Sequence, residues 1–317
     1  MTNEVINLLK SCDGYVSGEE MSQKLHISRA AVWKSINELR GLGYKIEAAP
    51  RLGYRIVSSP DKLFSHELEH RLNTKVVGRK VFYEETVSST MDKAFELAVK
   101  GEKEGTVIAA ETQTKGRGRM GRVWTSPKGQ GIYFSVILRP ALSPSDIARL
   151  TLLAGVAVCE AIRQVAAVDA KIKWPNDVLI KGKKAVGILT ELNAESDRVR
   201  FCVIGIGINV NTPLRQLPEN ATSLKQETGK MHSRIGLAQE VLRRLDVWYD
   251  ILKMQGFPPV IERWKTLSST LGRLVRLKDQ QNELEGKAVD LDEYGGLMIQ
   301  TKSGVVVKRM SGDVIEQ

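Results

Sequence analysis

A short basic, glycine-rich segment has the clearest potential for chemistry in this sequence. Residues 115–122 read Lys-Gly-Arg-Gly-Arg-Met-Gly-Arg, which places four cationic side chains and three glycines together. Glycines let backbone N–H groups approach an oxyanion, and arginines present planar donors to phosphates and carboxylates. Two apolar stretches, 107–110 and 131–138, flank the segment and read as buried strands. We therefore predict an anion-binding loop within a folded domain, suited to a nucleotide-activated carboxylate, rather than a merely solvated basic loop.

Polar residues in three other stretches extend this candidate site. Asn176 and Asp177 follow a proline that ends a strand, and such a pair suits Mg²⁺ bound to phosphates, although an Asx turn is the alternative. Lys184 precedes a buried strand, so its ammonium either neutralises a phosphate or carboxylate or simply faces water. Ser89 and Asp92 are predicted to cap the helix that follows them. The Ser89 hydroxyl is also a candidate donor to a small polar ligand.

A weaker signal lies in residues 205–209, Gly-Ile-Gly-Ile-Asn. The small residues share one face of a predicted strand and leave room for a flat ring, and Asn209 is suited to read an adenine edge. The basic loop is not a P-loop, because no G-x-x-x-x-G-K-[ST] pattern is present. His66 and His70 are interpreted as a surface pair, since no third metal ligand is evident.

Composition narrows the class of protein. The chain has 317 residues, 42% of them hydrophobic, and a net charge of +10. The excess of positive charge lies in the middle of the chain, which favours an anionic small molecule or an acidic partner surface there. We expect no transmembrane segment and no signal peptide. The three cysteines are scattered, which argues against a disulfide framework and favours a cytoplasmic location.

The first 60 residues have the pattern of a winged helix-turn-helix. A capping box at Ser17–Glu20 opens one helix, Ser28 caps the next, and two short strands follow around a turn containing Arg51. This order favours DNA binding over a plain three-helix interaction module. The predicted DNA-binding residues are Ser28, Arg29, Ala30, Trp33, Lys34, Asn37 and Arg51.

We predict three domains in an α+β multidomain chain. The winged helix covers residues 1–60 and a mixed α/β domain covers residues 61–269. Residues 270–317 contain short strands separated by glycine turns and resemble a small five-stranded barrel of the SH3 type.

In combination, these motifs resemble the signature of biotin protein ligases. The matching segments are the Gly-Arg-Gly-Arg-Met-Gly-Arg loop, Lys-Trp-Pro-Asn-Asp at 173–177, residues 184–189 and residues 205–209. The resemblance covers nearly the whole chain, and the winged helix makes it similar to bifunctional bacterial members that also repress biotin genes. Met91 departs from the Asn found in some members, which leaves the role of its side chain open.

The resemblance implies a central domain with the fold of class II synthetases, a mixed sheet, and a set of site residues. Residues implied to hold biotin and biotinyl-5′-AMP are Ser89, Thr90, Met91, Gln113, Gly116, Arg117, Gly118, Arg119, Arg122, Trp124, Lys184 and Asn209. Arg119, Lys184 and Asp177 are the implied catalytic residues. Asp177 with Asn176 is implied to organise Mg²⁺.

The implied activity joins biotin to ATP and then transfers biotin to a lysine of a biotin carboxyl carrier protein domain. Binding of the adenylate is implied to promote a homodimer that represses biotin genes at operator DNA. A lipoate-type acyl ligase is one alternative. A ligand-sensing repressor without catalysis is another, although Asp177 and Lys184 together argue against it.

Overall fold

The computed structural model describes residues 1–195, 198–278 and 283–316. The chain divides into two compact units between Lys62 and Leu63. The predicted boundaries after residues 60 and 269 remain predictions. Within the described ranges, none of the helices has the length and apolar character needed to cross a membrane.

The first unit has the predicted order of three helices and a hairpin. Its elements are α1 (Thr2–Ser11), α2 (Gly18–Leu25), α3 (Arg29–Gly41), β1 (Lys45–Ala49) and β2 (Gly53–Ser58). Ser17 Oγ accepts a hydrogen bond from Glu20 N at 3.0 Å, and Ser28 Oγ accepts one from Ala31 N at 3.1 Å. Both predicted serine caps are therefore present, and they fix where α2 and α3 begin.

The second unit is built on a seven-stranded mixed sheet, as the resemblance implied. Its order is β3-β4-β5-β9-β8-β7-β6, with β3 and β4 parallel and the other neighbours antiparallel. The strands are β3 (Val81–Glu84), β4 (Val107–Ala110), β5 (Gly131–Leu138), β6 (Ala170–Lys173), β7 (Asp177–Ile180), β8 (Lys183–Glu195) and β9 (Arg198–Asn209). The basic loop joins β4 to β5, both fully buried, so it is anchored at each end in the core.

Helices of the second unit pack against this sheet. They are α4 (Ser65–Glu69), α5 (Thr90–Val99), α6 (Ile147–Ala166), α7 (Leu224–Thr228), α8 (Arg234–Gln255) and α9 (Pro258–Leu267). Helix α6 begins at Ile147, directly after a separate 3-10 turn formed by Pro144–Asp146. Most of α6 is buried in the main hydrophobic core.

One carboxylate of α8 holds a neighbouring loop in place. The buried Asp246 accepts hydrogen bonds from the backbone N–H groups of Lys75, Val76 and Val77, each at 2.8 Å. Asp250, one turn along, instead forms an exposed ion pair with Lys75 at 2.8 Å. Asp246 therefore satisfies loop donors that have little access to water.

The final strands form a five-stranded antiparallel sheet in the order β13-β12-β11-β10-β14. They are β10 (Leu274–Lys278), β11 (Glu283–Leu291), β12 (Leu297–Gln300), β13 (Val306–Arg309) and β14 (Asp313–Glu316). The number of strands is the predicted five, and β14 pairs with β10. Closure of this sheet into an SH3-like barrel remains a prediction.

The interpretation of His66 as a surface residue is wrong. His66 is 7% exposed, and its ring stacks on Phe64 with centroids 5.3 Å apart. The apolar neighbours of α4 bury it. Among the described residues there is no group of three or more His, Cys, Asp or Glu side chains placed to hold a metal ion.

Candidate active site

One cavity of about 390 Å³ in the second unit gathers most of the predicted site. Its walls come from the basic loop, the start of α5, strands β7, β8 and β9, and residues 218–221. The predicted residues that line it are Thr90, Met91, Gln113, Arg117, Gly118, Arg119, Arg122, Trp124, Asn176, Asp177, Lys184 and Asn209. Ser89 and Gly116 lie beside lining residues without lining the cavity themselves.

The predicted capping pair at the start of α5 is wrong. Ser89 occupies the N-cap position, but its side chain makes no capping hydrogen bond. Gln113 Oε1 takes that role, accepting from Thr90 N at 2.9 Å and from Thr90 Oγ1 at 3.1 Å. Asp92 forms an ion pair with Arg117 at 3.0 Å. Because Gln113 reaches the helix N-terminus, the buried Ser89 hydroxyl is left without a hydrogen-bond partner among the described residues.

Two serines that the sequence analysis missed fix the position of Gln113 and Thr90. Gln113 Nε2 donates to Ser126 Oγ at 2.9 Å, and Ser135 Oγ donates to Thr90 Oγ1 at 2.9 Å. Ser135 is the one serine in β5, a buried and mainly apolar strand. A serine at such a position was the signal in the sequence that could have indicated its role. The resulting chain of polar groups is preorganised along one wall of the cavity.

The basic loop is folded as a small hairpin. Trp124 N donates to Gly116 O at 2.9 Å, Gly118 N donates to Arg122 O at 2.7 Å, and Arg119–Gly121 form a 3-10 turn. Met120 adopts a left-handed backbone conformation, with φ of 54°. The hairpin brings Arg119 toward the cavity while its backbone hydrogen bonds limit the positions that the loop can take.

Ion pairs attach both sides of this hairpin to the rest of the unit. Arg117 pairs with Glu191 at 2.7 Å, in addition to Asp92. Arg122 forms a two-point ion pair with Asp313 of β14, with one contact at 3.2 Å. Arg117 therefore holds the loop through its guanidinium, whereas Arg122 connects the loop to the C-terminal sheet.

Trp124 occupies the shelf that the small residues were predicted to leave for a flat ring. A Cβ added at Gly207 would lie 2.4 Å from Trp124 Cε2, and one at Gly187 would lie 2.7 Å from Trp124 Cζ3. The shelf is therefore real, but the ring that rests on it belongs to the loop itself. Lys184 Nζ lies 5.7 Å from the centroid of this indole.

Arg119 is positioned by Asn176. Arg119 Nη1 donates to Asn176 Oδ1 at 2.9 Å, and Asn176 Nδ2 donates to Ile188 O at 2.8 Å. Burial lowers the pKa of Arg119, while the carboxylates of Asp313 and Asp177 act to raise it. An arginine remains charged under these conditions, so the cavity wall carries a partly desolvated cation.

Lys184 and Asp177 form an ion pair on adjacent strands, with Nζ and Oδ1 2.7 Å apart. Asp177 fits a Mg²⁺ ligand, because Mg²⁺ commonly takes one or two carboxylates together with substrate phosphates and water. Asn176 fits less well, since both ends of its carboxamide already form hydrogen bonds. Lys184 is half-exposed and remains available to an incoming anion.

Asn209 lies at the end of β9, where its carboxamide is held in place. It is 4% exposed, and its Nδ2 donates to Thr222 O at 3.1 Å. Residues 218–221 lie beside it along the cavity wall, a contribution that sequence analysis missed. Residues 218–220 are exposed, and the sequence of residues 218–221 contains no motif from which this placement could be predicted.

The predicted DNA-binding residues lie mainly on the exposed side of α3 in the first unit. Arg29, Ala30 and Lys34 are exposed, and Trp33 has 60% of its surface accessible. Val32, Ile36 and Leu39, by contrast, are buried. Asn37 is partly exposed, Ser28 caps the helix, and Arg51 lies in the hairpin turn with φ of 65°.

Comparison with known proteins shows which family this chain belongs to. A sequence model of the biotin/lipoate A/B protein ligase family matches residues 83–209. An HTH domain model matches residues 2–55, and a biotin protein ligase C terminal domain model matches residues 270–315. The chain is 43% identical over 295 residues to the bifunctional ligase/repressor BirA of Bacillus subtilis (strain 168), covering 92% of this chain and 91% of that protein. The chain belongs to the biotin protein ligase family.

Other members of the biotin protein ligase family are also similar to this chain over most of their length. The bifunctional ligase/repressor BirA of Escherichia coli (strain K12) is 30% identical over 302 residues, covering 94% of this chain and 92% of that protein. The biotin protein ligase from Aquifex aeolicus, solved in complex with biotin and ATP, superposes with a TM-score of 0.65 at 33% identity. That match covers 75% of this chain and 99% of the Aquifex chain.

Proposed function

We propose that this biotin protein ligase activates biotin with ATP to biotinyl-5′-AMP and transfers the biotinyl group to a lysine of a biotin carboxyl carrier protein domain. The observation that carries this proposal is the convergence of Arg119, Lys184 and Asp177 on one cavity in a biotin ligase fold. These groups suit phosphoryl and acyl chemistry without a side-chain nucleophile. The free cysteines and the use of ATP support a cytoplasmic location.

The polar wall of the cavity supplies a site for the fused-ring head of biotin. Thr90 and Gln113 line this wall and are held by neighbouring side chains. The buried hydroxyl of Ser89, next to Thr90, has no hydrogen-bond partner among the described residues. Met91 closes this region against Gly205, where an added Cβ would lie 2.5 Å from Met91 Sδ. Arg117 and Gly118 complete the wall. We assign Arg119 and Lys184, which line the same cavity, to the carboxylate tail.

In the first step a carboxylate oxygen of biotin attacks the α-phosphorus of ATP, and pyrophosphate leaves. Arg119 and Lys184 stabilise the negative charge that spreads over the phosphoryl oxygens. Mg²⁺, held by Asp177, would neutralise further phosphate charge when bound. We assign Asn209 and residues 218–221 to the nucleotide, and the loop with Arg122 and Trp124 to shielding the mixed anhydride from water.

In the second step the amine of the acceptor lysine attacks the acyl carbon. The new C–N bond forms, the C–O bond to phosphate breaks with its electron pair leaving on AMP, and the surplus proton is released to solvent. Orientation of the two reactants provides most of the acceleration.

Labelled ATP tests the enzymatic proposal directly. The protein is incubated with biotin, Mg²⁺ and ATP labelled at the α-phosphate, and retained adenylate is measured. Retained label that a purified carrier domain discharges as AMP is the expected result. Label with lipoate in place of biotin would favour the lipoate alternative. Absence of adenylate with either acid would leave a sensor without catalysis.

We further propose that biotinyl-5′-AMP promotes a homodimer whose two winged helices bind a palindromic operator in the biotin genes. The exposed cationic and aromatic side of α3 supports DNA contact, as do relatives named both ligase and repressor. Gel-shift titrations on operator DNA are expected to show tighter binding with biotin and ATP than without them. Identical curves would contradict the coupling.

A further inference from the structure

A second, smaller cavity adjoins the active site. It measures about 130 Å³ and shares Arg119, Asn176, Ile188 and Leu189 with the main cavity. Sites for whole ligands usually measure about 300–1,000 Å³, so this space suits a single side chain rather than a cofactor. The two spaces meet at the wall formed by Arg119 and Asn176, beside the proposed reacting groups.

The remaining wall of this cavity is firm and mostly uncharged. Ala148, Thr151 and Leu152 come from the first turns of α6, and Thr151 Oγ1 donates to Thr190 Oγ1 at 2.8 Å. On the opposite side Trp174 Nε1 donates to Gly295 O at 3.1 Å, which joins the central sheet to the C-terminal sheet. Within the described residues, no acidic side chain lines the space.

This lining matches the chemistry of a lysine side chain that must react as a neutral amine. Apolar groups of Ala148, Leu152 and Met310 can pack along its methylene stem. At the inner end the Arg119 cation disfavours an ammonium ion and thereby lowers the pKa of an approaching amine. The adenylate would fill the main cavity during the second step, so the acceptor needs a different approach to the acyl carbon.

We propose that this cavity is the entrance through which the acceptor lysine of the carrier domain reaches biotinyl-5′-AMP. The inference rests on the proposed ligase function and adds the route of the second substrate. It assigns Ala148, Thr151 and Met310 to the acceptor, with no part in forming the adenylate.

Filling the cavity separates the two half-reactions. Ala148→Phe places a ring in the space from α6, and Met310→Trp does so from the C-terminal sheet, where Met310 is 41% exposed and substitution is compatible with folding. Ser145→Phe is the matched control, because Ser145 is exposed just before α6 and does not line the cavity. For each variant, retained biotinyl-5′-AMP and single-turnover transfer to a purified carrier domain are measured.

Both filled variants are expected to form adenylate as the unmodified protein does, while transfer to the carrier domain slows about tenfold or more. Discharge of the same adenylate by hydroxylamine, a small nucleophile, should stay unchanged. Transfer at the control rate in a variant that still forms adenylate would overturn the proposal. Equal losses in adenylate formation and transfer in both variants would also overturn it. Failure of the unmodified protein to form adenylate would instead contradict the proposed function.

Discussion

At the residue scale, side chains from distant segments of the chain meet at one cavity. Thr90, Gln113 and Lys184 line the cavity as predicted. Ser89, however, does not cap its helix, and Trp124 covers the glycine shelf itself. Both differences arise from contacts between segments that are distant in the sequence. The fold decides which side chain lies next to a hydrogen-bond donor or an apolar surface, and local spacing does not reveal it.

Lys184 provides the most direct residue-scale prediction. Lys184→Gln removes the ammonium beside Asp177 and should slow adenylate formation by about 10²–10³-fold, the usual effect of losing one group that stabilises developing charge. Lys183→Gln is the control, since Lys183 is exposed and precedes Lys184 in β8. The measurement is pyrophosphate release at saturating biotin. Equal rates for the two variants would remove Lys184 from the chemistry.

At the scale of elements, the structure matches the prediction best where the hydrophobic period and the capping residues indicate the same helix or strand. The winged helix is the clearest case, with Ser17 and Ser28 fixing two helix starts. Deviations occur where short-range signals compete, as at Pro144, which begins a 3-10 turn directly before α6.

Asp246 is expected to contribute strongly to stability. Asp246→Ala leaves three backbone N–H groups of residues 75–77 without their acceptor, and we expect a loss of about 1–3 kcal/mol in the free energy of unfolding. Asp250→Ala removes only an exposed ion pair from the same helix and should cost about 0–1 kcal/mol. Urea titrations of both variants measure the difference. A similar cost for the two would show that the loop donors find water instead.

At the scale of the whole molecule, the contacts between segments that are far apart in the sequence were not predicted. Asp313 is the main example, since it meets Arg122 across most of the chain length and no local pattern marks it. The sequence indicated that the last residues form a separate small sheet. The structure shows that this sheet also contributes a carboxylate, that of Asp313, to the wall of the candidate site.

The ion pair between Arg122 and Asp313 should govern how long the adenylate is retained. Asp313→Asn removes the charge that attaches the loop to β14, and biotinyl-5′-AMP should dissociate several-fold faster, on the order expected for one partly exposed ion pair. Asp290, in β11 of the same sheet, forms a partly exposed ion pair with Lys265 of α9, and Asp290→Asn serves as the control. Filter-binding decay of labelled adenylate gives both rates. Indistinguishable decay would show that the loop is held by other contacts.

Thiol reactivity gives a test of burial across both units. Burial raises the pKa of the Cys159 and Cys202 thiols to about 12, so almost no thiolate is present near neutral pH. Cys12 is partly exposed. Native protein should therefore react with a disulfide reagent at one thiol, and unfolding in guanidinium should expose all three. Rapid reaction of more than one thiol in the native state would contradict this packing.

The position of Trp124 has a thermodynamic consequence for ligand binding. Because its indole already covers Gly187 and Gly207, the apolar shelf is dry before any ligand arrives. A nucleobase that displaces the indole exchanges one buried ring for another and removes little new apolar surface from water. Calorimetry of nucleotide binding should accordingly show a small heat-capacity change. In the free protein, the surface of Gly187 and Gly207 has thus already been removed from water, which ligand binding would otherwise have to do.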